Sequence, residues 1–226
     1  MNRFERVVVW TGGALFAGAI AFCGYSFVIV WSHAAVFDGR AIAIDVLLFA
    51  LFAAHHSLFA REPVKRWLTR VVPDRLLRSV YVWIASLLLI VVCASWQTVG
   101  GELYYVHGWR AVAHASVQIA GFLVVASAVR EIDALELAGI RPHSVSESLQ
   151  IAGPYRWVRH PLYLGWLLAT FGAAHMTGDR LTFAGISAVY VIVAMPWEER
   201  SLLRSLGARY AEYQKTVRWR VLPYIY

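Results

Sequence analysis

Charge and cysteine are both scarce in this 226-residue chain. Only 15% of its residues are Asp, Glu, Lys or Arg, against 59% hydrophobic and 14% aromatic, and the mean hydropathy is +0.56. That excludes an ordinary soluble domain, which carries about a quarter of its residues charged. The two cysteines, Cys23 and Cys93, fall inside apolar blocks and in neither a metal-ligand nor a redox spacing. They are expected to pack as small polarizable side chains, and no metal is called for. There is no low-complexity linker and no clear repeat, so a single domain over residues 1–226 is the simplest organisation.

What is present comes in apolar blocks. Residues 7–31, 41–59, 79–96 and 111–129 are each close to the ~20 needed to cross a hydrocarbon core. Two shorter stretches, 162–176 and 181–195, are expected to form an antiparallel hairpin turning at Thr177-Gly178-Asp179-Arg180. The expected fold is all-α: a polytopic integral membrane protein of about five to six transmembrane helices, with a C-terminal helical hairpin and a cytoplasmic C-terminal helix. The basic start at Arg3 and Arg6 lacks a small-residue cleavage pattern, so the first block reads as a retained helix. With the N-terminus inside, the basic residues gather on the cytoplasmic side and leave only Arg40, Arg110 and Arg180 outside. The net charge of +7 is then explained by anionic lipid head groups, without nucleic acid.

Polar residues cluster at the inner ends of these blocks. His55-His56-Ser57 closes the second one, where adjacent histidines are costly unless solvated or paired. Residues 61–70 carry basic residues and Trp67 at helical spacing, which predicts an interfacial helix. Residues 130–141 alternate acidic and basic types, fitting a solvated helical end or a pocket wall. The densest cluster is Gly153-Pro154-Tyr155-Arg156-Trp157-Val158-Arg159-His160-Pro161-Leu162-Tyr163-Leu164-Gly165, directly before the hairpin. Pro161 suits the first turn of a helix, which puts His160 at its N-cap. If that stretch is helical, Arg156 and Arg159 share a face and can clamp a carboxylate or phosphate; binding lipid phosphate is the plainer reading. The hairpin returns at Pro196-Trp197-Glu198-Glu199-Arg200, whose adjacent carboxylates need a cationic partner. Arginine for a carboxylate, glutamate for an ammonium or ribose diol, and Tyr155, Trp157 or Tyr163 for a sulfonium together suit S-adenosyl-L-methionine.

At these residues the chain resembles the isoprenylcysteine carboxyl methyltransferase and phospholipid methyltransferase superfamily of integral membrane enzymes. The matching pattern is Gly-Pro-Tyr-Arg, then Arg-His-Pro-x-Tyr-x-Gly, an apolar hairpin, and Glu-Glu with Leu206-Gly207, Tyr210 and Tyr213 downstream. His56-Ser57, Lys65-Arg66-Trp67, Arg78-Ser79-x-Tyr81-Val82 and Glu136-Leu137-x-Gly139-Ile140-Arg141 extend the resemblance to the bacterial methanethiol S-methyltransferase and NnrU-like branch. It implies a methyl transfer from S-adenosyl-L-methionine at the cytoplasmic face of a bacterial inner membrane. Residues 1–129 would be the four-span scaffold and substrate side, and 130–226 the cofactor-binding catalytic part. Arg159, His160, Pro161, Tyr163 and Gly165 would shape the cofactor pocket, Glu198 and Glu199 would hold its polar end, and Tyr155, Arg156 and Leu164 complete it. Arg159, His160, Glu199, His56 and Arg141 are the candidates for the chemistry, the basic groups favouring a thiolate and the histidines taking its proton. Ala134, Ala138 and Arg218-Trp219-Arg220 depart from the thiol-methylating pattern. The expected acceptor is a small thiol such as methanethiol. The alternatives are a lipophilic acceptor (a prenylcysteine carboxylate or phospholipid amine) and a non-catalytic relative.

Overall fold

A computed structural model of the chain describes residues 1–59, 61–141 and 149–226. Its helices are α1 (Arg3–Val28), α2 (Gly39–Phe59), α3 (Glu62–Leu68), α4 (Asp74–Ala94), α5 (Gly108–Glu131), α6 (Ala134–Leu137), α7 (Pro161–Phe171), α8 (Gly178–Leu206) and α9 (Ala208–Thr216), with strands β1 (Glu102–Tyr105) and β2 (His175–Thr177). Among the described residues five stretches, Arg3–Ser32, α2, α4, α5 and α8, are long and apolar enough to cross a membrane. The chain is therefore an all-α polytopic membrane protein. It divides into two compact units: Met1–Gly101 with Ala134–His143 and Thr177–Asp179, and Glu102–Asp133 with Ser144–Met176 and Arg180–Tyr226.

In the first unit, α1 starts with a capping box. The Asn2 side chain accepts from Glu5 N at 2.8 Å and the Glu5 carboxylate accepts from Asn2 N at 3.0 Å, satisfying donors a helix start leaves open. Glu5, 7% exposed, also accepts from Arg75 of α4. Trp83 of α4 lies across Gly12 and donates to Val8 O at 2.9 Å; a Cβ at Gly12 would sit 2.6 Å from the indole nitrogen. The unit is closed at its other end by Asp179, whose carboxylate accepts from Trp96 Nε1, Val99 N and Gly100 N at 2.9–3.0 Å. The stretch 130–141, expected as one helical end, is broken at Asp133 (φ 59°) and Gly139 (φ 70°), so α6 keeps only four residues.

In the second unit α5 packs on α7 through small residues. A Cβ on Gly165 would lie 2.7 Å from Gly121 O and from a Val125 methyl, so the two backbones approach as closely as small-residue contacts between membrane helices allow. Trp166 Nε1 donates to Ser187 Oγ at 2.9 Å and fastens α7 to α8. The hairpin differs from expectation in its arms: α7 has 11 residues and α8 has 29. At 1.5 Å per residue α7 spans only about 16 Å, too short to cross a bilayer. It stops because its following carbonyls are claimed elsewhere: Ala173 O accepts from Tyr104 and His114, and Ala174 O from Val106 N, beside the β1–β2 pairing. α8, by contrast, runs through Pro196, so the proline gives up one helical hydrogen bond without ending the helix.

Candidate functional site

Sequence places His160 before a proline, and the structure makes it the N-cap of α7 with Pro161 in the first turn. The preceding turn (Gly153–Arg156) is 3-10 and ends at Arg156, so Arg156 and Arg159 do not share a helical face. Their environments differ accordingly. Arg156 is exposed, whereas the Arg159 side chain is 7% exposed and its Nε donates to Glu199 Oε1 at 2.7 Å.

Successive residues on a helix point about 100° apart, since 3.6 make a turn, and the Glu198–Glu199 pair separates in the same way. Glu199, with a side chain 4% exposed, receives Arg159, His160 Nε2 at 3.3 Å and Arg220 Nε at 3.0 Å. Among the described residues Glu198, 45% exposed, accepts only from the Tyr163 hydroxyl, at 2.6 Å, and faces His160 Nδ1 at 3.7 Å. The His160 and Tyr163 rings stack at 5.3 Å and 8°. One carboxylate thus closes a buried ionic cluster, and its neighbour stands at the rim beside two flat rings.

The buried cluster holds the C-terminal segment. Arg159 Nη1 donates to Val217 O at 2.8 Å and Arg218 O at 2.7 Å. The backbone N–H groups of Arg159 and His160 donate to Trp219 O at 2.9 Å and Arg220 O at 2.8 Å. Arg220 reaches back to Glu199 and on to the Tyr226 hydroxyl. Its burial disfavours the charge, but Glu199 and the Tyr226 hydroxyl outweigh that and raise its pKa. Residues 217–226 therefore lie as a strap tied at both ends. Beneath it Tyr210, Tyr213 and Val217 pack with Leu149, Leu202 and Leu206, and the Tyr213 hydroxyl donates to Tyr155 O at 2.7 Å. Burial pushes the Tyr213 phenol up to about 12 and raises Tyr155 and Tyr210 as well.

Several expected pocket residues have packing duties here. Gly165 serves the contact with α5. Pro161 is buried and Leu164 half-buried. His56 and Arg141 belong to the first unit: His56 Nδ1 shares a hydrogen bond with the Tyr81 hydroxyl, and Arg141 N donates to Leu135 O at 3.1 Å. Sequence reasoning missed Arg220 and Tyr226. Arg218-Trp219-Arg220 reads only as a departure from a family pattern, and nothing local links it to Glu199.

The arrangement leaves groups open to a cationic or polar ligand. Glu198 retains acceptor capacity for an ammonium, and the His160–Tyr163 pair offers a flat face. The Tyr210 hydroxyl, in a residue 2% exposed, has no partner among the described residues, and it feels the charges of Glu199, Arg159 and Glu198. A buried phenol without a partner costs about 1–3 kcal/mol, a deficit that a polar ligand atom would remove.

The chain is similar to known methyltransferases. The family model described as phospholipid methyltransferase matches residues 109–209, which span α5 to the start of α9. Methanethiol S-methyltransferase 2 of Bradyrhizobium diazoefficiens is 35% identical over 187 residues, covering 79% of this chain and 72% of the relative. The methanethiol S-methyltransferase of Mycobacterium tuberculosis is 34% identical over 189 residues, 79% and 77% of the two chains. That of Crocosphaera subtropica is 30% identical over 230 residues and covers 90% of both. No solved structure matches the chain. On this similarity the chain belongs to the superfamily of integral membrane methyltransferases that includes the phospholipid methyltransferases and methanethiol S-methyltransferases.

Proposed function

We propose that this chain S-methylates a small thiol, with methanethiol as the model acceptor, using S-adenosyl-L-methionine at the cytoplasmic face of a bacterial inner membrane. The division of labour between Glu198 and Glu199 carries the reading. A merely structural cluster needs Glu199 but gives no reason for a second carboxylate at the rim, hydrogen-bonded by Tyr163 and facing His160. The three relatives compared above are named methanethiol S-methyltransferase, which supports the acceptor class.

When bound, the cofactor supplies a methyl group already activated on a sulfonium. Glu198 would receive its ammonium, with Tyr163 holding the carboxylate in place and the stacked His160–Tyr163 rings lying along the cation. Arg159, Glu199 and Arg220 fix the N-terminus of α7 and the strap, so these groups are positioned before a ligand arrives and little ordering cost remains at binding. Tyr155 shapes the wall through its carbonyl, which Tyr213 pins. The thiolate is the effective nucleophile. The candidates for taking the thiol proton are His160, whose ring nitrogens both face carboxylates, and His56, paired with Tyr81, with Arg159 or Arg141 as the cation favouring the anion. The groups proposed to hold the cofactor all lie in the second unit.

The test is an acceptor panel. Purified protein in detergent with methyl-labelled S-adenosyl-L-methionine should transfer label to methanethiol and release a volatile thioether. Transfer only to farnesylated cysteine or phosphatidylethanolamine, or to none of the panel, overturns the thiol assignment.

A further inference from the structure

Arg156 leads away from the ionic cluster. It and Trp157 border a cavity of about 710 Å³ whose walls also include Arg130, Glu131, Leu123 and Val124. Neither His160, Tyr163 nor Glu198 lines it. We infer that this cavity is a phospholipid site, in which Arg130 and Arg156 hold the phosphodiester of an anionic lipid and Leu123 and Val124 lie along the start of its acyl chains.

Three observations support this occupant. The first is available charge: Arg130 and Arg156 are both exposed, and among the described residues no hydrogen bond or ion pair engages either guanidinium. Arg159, three residues away, is by contrast saturated by Glu199 and two carbonyls. Two guanidiniums and Glu131 leave a wall of net +1, the complement of one phosphodiester. The second is depth: Leu123 and Val124 sit on a candidate span, and Arg130 lies in its last turn. From Leu123 to Arg130 is roughly 10 Å along the helix axis, about the distance from the first acyl carbons to the phosphate. Trp157 is 69% exposed, as suits a ring lodged at the head-group level. The third is that the space is built into the backbone. Gly153 adopts φ +54°, a conformation that favours glycine, and a Cβ there would stand 2.7 Å from Glu131 Oε1, so glycine suits the turn that carries Arg156 where it approaches α5.

Basic pockets at the cytoplasmic ends of membrane helices are suited to anionic lipid head groups, and the planar guanidinium suits a phosphate in bidentate fashion. A free phosphate would satisfy the arginines but not the apolar wall. The site asks nothing of the methyl donor, so its success or failure is independent of the proposed reaction.

Native mass spectrometry of the full chain in detergent, titrated with phosphatidylglycerol, reads the site. Wild type should retain one lipid through delipidation. Arg130→Gln and Arg156→Gln should each weaken binding roughly fivefold, Arg156→Lys should recover part of the loss, and Arg204→Gln, on the exposed end of α8, should leave binding unchanged. An unchanged melting temperature in Arg156→Lys separates lost contact from lost fold. Equal loss in Arg204→Gln means general surface charge and overturns the site, as does equal affinity for glycerol phosphate, which lacks the chains. Displacement of the lipid by S-adenosylhomocysteine returns Arg156 to the cofactor and overturns it too.

Discussion

Removing either of two adjacent carboxylates should have opposite consequences. Glu199→Ala leaves the Arg159 guanidinium, 7% exposed, without its counter-ion, and frees Arg220 from the strap. Breaking a buried pair from one side costs about 3–5 kcal/mol. For a chain of this size that corresponds to a melting temperature lower by roughly 6–20 °C. Glu198→Ala removes a rim carboxylate, 45% exposed, that accepts one hydrogen bond. Such a surface change alters stability by only about 0.5 kcal/mol. If Glu198 receives the cofactor ammonium, losing a hydrogen bond to a charged group, worth about 1.5–3 kcal/mol, lowers affinity between about tenfold and a hundredfold. Thermal melting in detergent and isothermal titration with S-adenosylhomocysteine separate the two effects. A Glu199→Ala protein that melts with wild type refutes the clamp, and a Glu198→Ala protein that binds the ligand normally refutes the rim assignment.

Three further outcomes follow from the same contacts. Tyr163→Phe removes the hydroxyl that orients Glu198, and ligand affinity should fall roughly tenfold with melting unchanged; titration calorimetry checks it. Gly165→Val drives a side chain into Gly121 O and Val125, so yield of monodisperse protein on size exclusion should collapse, whereas Gly185→Ala, with open space around it, should not change it. The Tyr213 phenol is raised in the folded protein to about 12, so its contribution is fully present below the ordinary phenol value near 10 and is lost as pH rises through 12. Melting temperature should therefore decline across that interval, and more shallowly in Tyr213→Phe.

The spans and the N-terminal turn of α7 were legible because each is written locally: apolar length for the helices, His-Pro for the cap. The arms of the hairpin were not. Where α7 stops depends on Tyr104, His114 and Val106 claiming the carbonyls of Ala173 and Ala174, and where α8 stops depends on its passing through Pro196, which composition alone reads as a boundary. In the same way Arg159 and Glu198 look equivalent as cofactor ligands in sequence. Their separation into a buried clamp and an open rim needs Arg220 and the carbonyls of residues 217–220, some sixty positions from Arg159, and no local pattern reports that pairing.

The strap has a consequence for biosynthesis. Arg159, His160 and Glu199 leave the ribosome before the segment that satisfies them, so while α8 is being inserted their charges must wait in the aqueous vestibule or among lipid phosphates. Only when residues 217–220 have emerged can the cluster exclude water, so locking of this unit follows the insertion of α8.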